Sequence, residues 1–260
     1  MADVILEARQ LGKRFGAVVG ARDISVQVAR DSVLGLIGTN GAGKTTFVNM
    51  ITGYLRPDSG SIWHEGRDIT GLKPREITWR GICRSFQIPQ LYNSLTVREN
   101  LVVGLGIMRR GHDARHDPGR DLGAAADAIL RRFGMASETG RLAGVLPEGL
   151  RKLLDIAMAL VARPTVLLLD EPTSGVSTDE KFDIMDRIMQ AVRADGVTVL
   201  FVEHDMDIVS RYAERVLAFD EGSILADGPV AEVLASEDVQ RYVIGRPAGA
   251  AAATGAGPAC

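Results

Sequence analysis

An α/β fold built on a parallel sheet is predicted by three apolar runs that each end abruptly in polar residues. Val166-Leu167-Leu168-Leu169 and Val197 to Val202 have the unbroken apolar character of strands buried on both faces. They end in Asp170-Glu171 and in Glu203-His204-Asp205. The third run, Ser32 to Ile37, leads into Gly38-Thr39-Asn40-Gly41-Ala42-Gly43-Lys44-Thr45-Thr46, and Thr45 to Tyr54 then reads as a helix. A strand, a glycine-rich turn and a helix in that order make a phosphate cradle: successive backbone N–H groups and the helix N-terminus both favour an anion. Lys44 is placed to reach the outer phosphates of a nucleoside triphosphate, and the Thr45 hydroxyl to hold Mg²⁺.

The remaining elements follow in chain order. Val4 to Arg9 and Ile24 to Val28 alternate as strands, with a turn expected at Gly12-Lys13-Arg14-Phe15-Gly16. Pro57-Asp58-Ser59-Gly60 is a strong turn signal before the strand Ser61 to His64. Two short strands and turns are then expected before Gly81 to Gln87, so this half reads as an antiparallel β segment attached to the phosphate-binding core. From Leu95 the texture becomes helical. Thr96 caps a helix through Leu101, Leu122 to Phe133 is amphipathic, and a helix is expected from Arg151 to Val161. Leu153, Leu154, Ala157, Leu160 and Val161 form one apolar stripe on it, which reads as core packing. Arg215 to Asp220 and Ser223 to Ala226 read as a hairpin around Glu221-Gly222, followed by short helices at Pro229 to Leu234 and Val239 to Ile244. Arg246 to Cys260 is rich in Ala, Gly and Pro and reads as a disordered tail.

Bulk properties narrow the function classes. Hydrophobic residues at 46% and charged residues at 24% are ordinary for a soluble globular protein. A net charge of −3 gives no support to nucleic-acid binding. Cys83 and Cys260 have no metal-ligand spacing, which points to a reducing, cytoplasmic compartment. No apolar run approaches the roughly 18 residues that span a bilayer, and the N-terminus lacks the pattern of a signal peptide. His112 and His116 stand at a spacing that would ligate a metal on a helix, but Gly111, Pro118 and Gly119 argue for a solvated loop.

The strand-end carboxylates carry the chemistry. In open α/β sheets ligands bind at the C-terminal edge of the strands, and buried carboxylates need a partner such as Mg²⁺·nucleotide. His204 ends the neighbouring strand. Phe15 alone reads either as a loop aromatic covering the edge of the sheet or as a ring that stacks on a purine, since a ring pairs well with the face of a base.

In sequence order, the phosphate loop, Gln87, a glycine-containing loop opening a helix, Asp170-Glu171 and His204 resemble the nucleotide-binding subunit of ABC transporters over residues 4 to 245. The resemblance implies a P-loop NTPase core with an antiparallel β subdomain (residues 1–87 and 164–245) and an inserted α-helical subdomain (88–163), the ABC ATPase fold. It implies that Phe15 stacks on adenine and that Gly38, Thr39, Asn40, Gly41, Ala42, Gly43, Lys44, Thr45, Thr46 and Gln87 bind nucleotide. Thr45, Gln87 and Asp170 would hold Mg²⁺, Glu171 would polarise the attacking water as general base, and His204 would contact the γ-phosphate. It also implies a head-to-tail pair of ATP-binding subunits, two membrane permease subunits and, indirectly, a periplasmic solute-binding protein, with the chain lying on the cytoplasmic face of the membrane. Gln87 to Asn100, Asp170 to Val176 and Val239 to Gly245 look most like the importer group for branched-chain amino acids, urea and related polar solutes.

Two positions depart from the family pattern. The signature Leu-Ser-Gly-Gly-Gln, which acts on the partner's nucleotide, is here Leu146-Pro147-Glu148-Gly149-Leu150, and Ser177 stands where the D-loop usually carries aspartate. Pro147 removes a hydroxyl and an N–H, and Glu148 adds a negative charge near a phosphate. The expectation is an unequal pair of ATP sites, with a different chain as partner. Other P-loop classes fit less well: no Asn-Lys-x-Asp guanine motif occurs, and the segment between Gln87 and Leu146 lacks the heptads of chromosome ATPases. An exporter ATPase, for example for lipopolysaccharide, shares every catalytic motif and is the nearest rival.

Overall fold

The computed structural model describes residues 3–108 and 121–245. His112, His116 and the tail from 246 lie outside the described residues. Two long strands, β1 (Val4–Phe15) and β2 (Val18–Ala29), pair antiparallel. The turn expected at Gly12 to Gly16 is therefore corrected: β1 runs on to Phe15, and the chain reverses at Gly16-Ala17. Gly12 serves a close approach instead, since a Cβ there would fall 2.4 Å from Ser59 Oγ on the neighbouring strand. That neighbour, β4 (Ser59–His64), and β5 (Arg67–Asp68) complete the sheet in the order β2-β1-β4-β5. A second short strand was expected before Gly81, and a helix stands there, α2 (Pro74–Trp79). Pro74 sits in its first turn, and the Glu76 carboxylate accepts the Lys73 N–H at 2.9 Å, so local start signals outweigh the turn-like composition.

The second sheet holds six strands in the order β10-β9-β3-β8-β7-β6. Five are parallel: β3 (Val33–Gly38), β6 (Ile82–Arg84), β7 (Val166–Asp170), β8 (Thr198–Val202) and β9 (Arg215–Asp220). The last strand, β10 (Ser223–Pro229), returns antiparallel on β9 as the expected hairpin. Alternation along the strands divides the core between the two faces. Leu34, Leu36, Leu168, Leu200 and Phe219 face the antiparallel sheet and α1 (Lys44–Ile51). Val33, Leu167, Leu169, Val199 and Phe201 face the helices.

Those helices are α3 (Val97–Met108), α4 (Leu122–Arg132), α5 (Glu148–Leu160), α6 (Lys181–Arg193) and α7 (Met206–Tyr212). The chain then closes with α8 (Val230–Ala235) and α9 (Glu237–Val239), the latter continuing as a π-helical turn through Ile244. Thr96 caps α3 as expected: its amide and hydroxyl both donate to the Glu99 carboxylate, and its Oγ accepts the Glu99 N–H. The stripe expected on α5 is buried, with Leu153, Leu154 and Ala157 at 1% exposure or less. But α5 starts at Glu148, not Arg151, so Glu148, Gly149 and Leu150 form its first turn. No helix among the described residues is long and apolar enough to cross a membrane.

One buried group predicts a pH effect. His64 on β4 is 3% exposed, and its Nε2 lies 3.0 Å from Thr165 Oγ1. Burial pushes its pKa below the ordinary imidazole value, so the folded chain favours the neutral ring. The unfolded chain then binds the extra proton first, and stability falls as pH drops below about 6.5. His64→Gln, which keeps a polar end, should narrow the drop in melting temperature between pH 7.5 and pH 5. An unchanged drop would assign the acid sensitivity to other groups.

Candidate active site

The strand order β3-β8-β7-β6 lays four loop starts side by side along the C-terminal edge of the parallel sheet. From β3 comes the glycine loop, from β8 Glu203 and His204, from β7 Asp170 and Glu171, and from β6 Gln87. One cleft is lined by Asn40 to Thr46, Gln87, Asp170, Glu171 and His204.

The loop's shape requires its glycines. Gly41 and Gly43 have φ of 85° and 107°, in the region L side chains rarely enter. A Cβ on Gly43 would also meet the Gly20 carbonyl at 2.8 Å. Gly43 is the N-cap of α1, so the helix's free N–H groups open toward the cleft. The Lys44 ammonium folds back to donate to the carbonyls of Gly38 at 2.6 Å and Thr39 at 2.9 Å. Burial lowers its pKa, while Glu171 and Asp170 oppose that shift. Phe15 borders this loop. A Cβ on Gly20 would come within 2.6 Å of the Phe15 ring and 3.2 Å of Thr46 Oγ1, so the absent side chain leaves room for the ring. The ring itself is half exposed, with Lys13 Nζ 5.9 Å from its centre.

Glu171 is held on every side. Gln87 Nε2 donates to its Oε2 at 2.7 Å, and His204 Nε2 lies 3.1 Å from its Oε1. Its N–H donates to Val202 O at 3.0 Å, and its carbonyl accepts from Lys152 Nζ at 2.7 Å. Its φ of 48° is left-handed, a conformation costing about 1–3 kcal/mol for a residue with a side chain. Such strain persists only where neighbours over-determine it. The loop beyond is fixed by Glu203, 4% exposed, which accepts the amide and hydroxyl of Thr173 at 2.9 and 2.7 Å.

Sequence reasoning placed Gln87, Asp170, Glu171 and His204, and the fold brings them together with the loop. It missed Arg84, Lys152, Asp155 and the role of Glu203. Arg84 Nη2 donates to Asp170 and Nη1 to Asn49 Oδ1 at 2.6 Å, pinning the carboxylate between β6 and α1. The signal for it was an arginine inside a strand that reads as buried. Asp155 accepts the N–H groups of Phe86 and Gln90 at 3.1 and 2.9 Å, spanning Gln87 from α5. A charged residue inside an apolar helical stripe was its signal.

The signature positions lie elsewhere. Leu146 is buried, and Pro147 is the N-cap of α5. A Cβ on Gly149 would strike Ile184 Cδ1 at 2.5 Å, so glycine permits α5 to pack on α6. Glu148, half exposed, occupies the first turn and faces Arg151 Nε at 4.0 Å. A carboxylate there favours the free helix dipole and opposes an incoming anion. Ser177 is exposed, and its hydroxyl donates to Glu180 at 2.7 Å, starting the approach to α6.

The hard oxygen donors Thr45, Asp170 and Gln87 on one cleft suit Mg²⁺. A cradle of N–H groups, a lysine and a doubly held carboxylate is equipped to bind a polyphosphate and activate a water beside it.

The family model for ABC transporters matches residues 21–174. A high-affinity branched-chain amino acid transport ATP-binding protein of Pseudomonas aeruginosa is 32% identical over 255 residues, covering 94% of this chain and 99% of that protein. A probable branched-chain amino acid transport ATP-binding protein of Archaeoglobus fulgidus is 33% identical, covering 93% and 95%. Among solved structures, the ADP conformation of MJ1267, an ATP-binding cassette of an ABC transporter, superposes with a TM-score of 0.82 at 32% identity, covering 94% of this chain and 99% of that one. With the family model spanning more than half its length, the chain belongs to the ABC transporter family.

Proposed function

We propose that the chain is the ATP-hydrolysing subunit of an ABC importer for branched-chain amino acids or a related polar solute. The observation that carries the catalytic part is Glu171, held by Gln87 and His204 beside the glycine loop. The solute class rests on the names of the relatives above. Phe15 stacks on adenine, the loop N–H groups and Lys44 hold the phosphates, and His204 contacts the γ-phosphate. Glu171 orients a water and draws its proton as that oxygen attacks the γ-phosphorus, releasing ADP and phosphate. Thr45, Asp170 and Gln87 hold Mg²⁺, which when bound offsets the phosphates' negative charge.

The working unit is a head-to-tail dimer of ATP-binding subunits beneath two permease subunits, served by a periplasmic binding protein, on the cytoplasmic face of the membrane. Residues 88–163 act as a helical subdomain that lends the signature turn to the partner's nucleotide. Co-purification with permease subunits, and loss of labelled leucine uptake when the chain is removed, test this reading. Intact uptake, with loss of an exported lipid or polysaccharide instead, would overturn the importer assignment.

The two ATP sites of that dimer are expected to be unequal. Glu148 places a carboxylate at the turn this chain lends, while its own Lys44, Asp170, Glu171 and His204 are complete. Glu171→Gln in this chain should therefore cost far more transport-coupled turnover than the matching change in the partner. Equal losses would defeat the idea.

A further inference from the structure

We infer that Lys152 on α5 is a positioning residue for Glu171, holding the main-chain carbonyl of that left-handed residue so that its carboxylate faces the cleft. This rests on the reading of Glu171 as the general base. The contact joins two parts of the chain that the sequence keeps apart. Lys152 is 4% exposed, and among the described residues its ammonium makes one hydrogen bond, to the Glu171 carbonyl at 2.7 Å. A buried ammonium needs a partner, and so does a buried carbonyl. The Glu171 carbonyl supplies the ammonium's partner and accepts the Ser174 N–H at 3.1 Å as well.

The contact matters because Glu171 sits in an unfavourable backbone conformation, with φ of 48°. Its N–H is anchored to β8 through Val202 O, and its carbonyl accepts the Ser174 N–H at 3.1 Å within the turn that follows. Lys152 adds a charged anchor to the same carbonyl from a different element, α5, and so ties the turn to that helix. Without this tether to α5 the turn after β7 would be free to shift as a unit, carrying the carboxylate away from Gln87 and His204, the two groups that aim it.

The helix is itself well placed to do this. Asp155 lies one turn on from Lys152, so both face the same way. Its carboxylate grips the N–H groups of Phe86 and Gln90. One face of α5 thus holds the backbone of Glu171 and the loop that carries Gln87. The same helix begins at the signature turn, with Glu148 one turn before Lys152. A shift of α5 would reach the base through this lysine.

The test is a comparison of two backgrounds in the assembled transporter. Lys152→Met should lower kcat for ATP hydrolysis about tenfold while leaving KM for ATP within about twofold, and Lys152→Arg, which still donates, should restore most of the loss. In a Glu171→Gln background, where the base is already gone, Lys152→Met should lower the residual turnover by less than about twofold. Equal losses in both backgrounds, a rise in KM at constant kcat, or no change in kcat would overturn the inference. Should Lys152→Met fail to fold by thermal melting, Lys152→Gln carries the same comparison, since its amide fills the volume but ends one bond short. Absence of ATP hydrolysis by the unmodified complex would overturn the ATPase reading itself, and the inference with it.

Discussion

Lys44→Ala is expected to remove ATP binding, by about a hundredfold or more in affinity. Lys44 is 5% exposed as a residue, and its ammonium lies 2.6 and 2.9 Å from the Gly38 and Thr39 carbonyls. A triphosphate brought into that cradle meets a cation partly withdrawn from water, so the ion contact is screened less than on an open surface. A hydrogen bond to a charged group contributes about 1.5–3 kcal/mol, and the loss of one decade in affinity corresponds to about 1.4 kcal/mol. Alanine leaves the outer phosphates facing Glu171 and Asp170 with less positive charge, which adds repulsion to the lost contact. The fold should tolerate the change, because the β3 ladder and α1 do not depend on the lysine tip. Calorimetric titration with Mg·ATP, paired with a thermal melt, checks the expectation. Near wild-type affinity in a folded Lys44→Ala protein would remove the nucleotide from this loop.

Glu171→Gln should separate binding from hydrolysis. The amide is nearly isosteric with the carboxylate, and its oxygen can still accept from Gln87 while its nitrogen faces His204, so the constellation around residue 171 keeps its geometry. Only the proton-accepting charge is lost. General-base catalysis is worth about 10²–10⁴ in rate, so turnover should fall at least about a hundredfold while ATP affinity stays within a few-fold. Single-turnover hydrolysis and equilibrium binding on the same preparation measure both. Turnover within a few-fold of wild type would move the base to another residue, with His204 the next group at hand.

Some misreadings along the chain share one cause, a local signal that tertiary contacts use for something else. Gly12 reads as a turn residue and proves to be a thin point where β4 pairs closely alongside β1. Pro147 and Glu148 read as loop and prove to be the N-cap and first residue of α5, where a glutamate in the first turn complements the helix dipole. The opposite error occurs at Arg84, Lys152 and Asp155. A lone charge in an apolar segment has no visible partner until the segments meet. Their partners, Asp170, the Glu171 carbonyl and the amides around Gln87, come from other strands and loops.

By itself the sequence determined that this chain builds a phosphate cradle, ends two buried strands in carboxylate and imidazole side chains, and belongs with the ABC transporters. Those features are local: a glycine-rich turn between strand and helix, and an apolar run that stops at a carboxylate, carry their physics within a few consecutive residues. Only the tertiary structure decided how Glu171 is aimed. Its strained backbone and the grip of Gln87, His204 and Lys152 depend on four separate elements converging, and no spacing along the chain records that convergence.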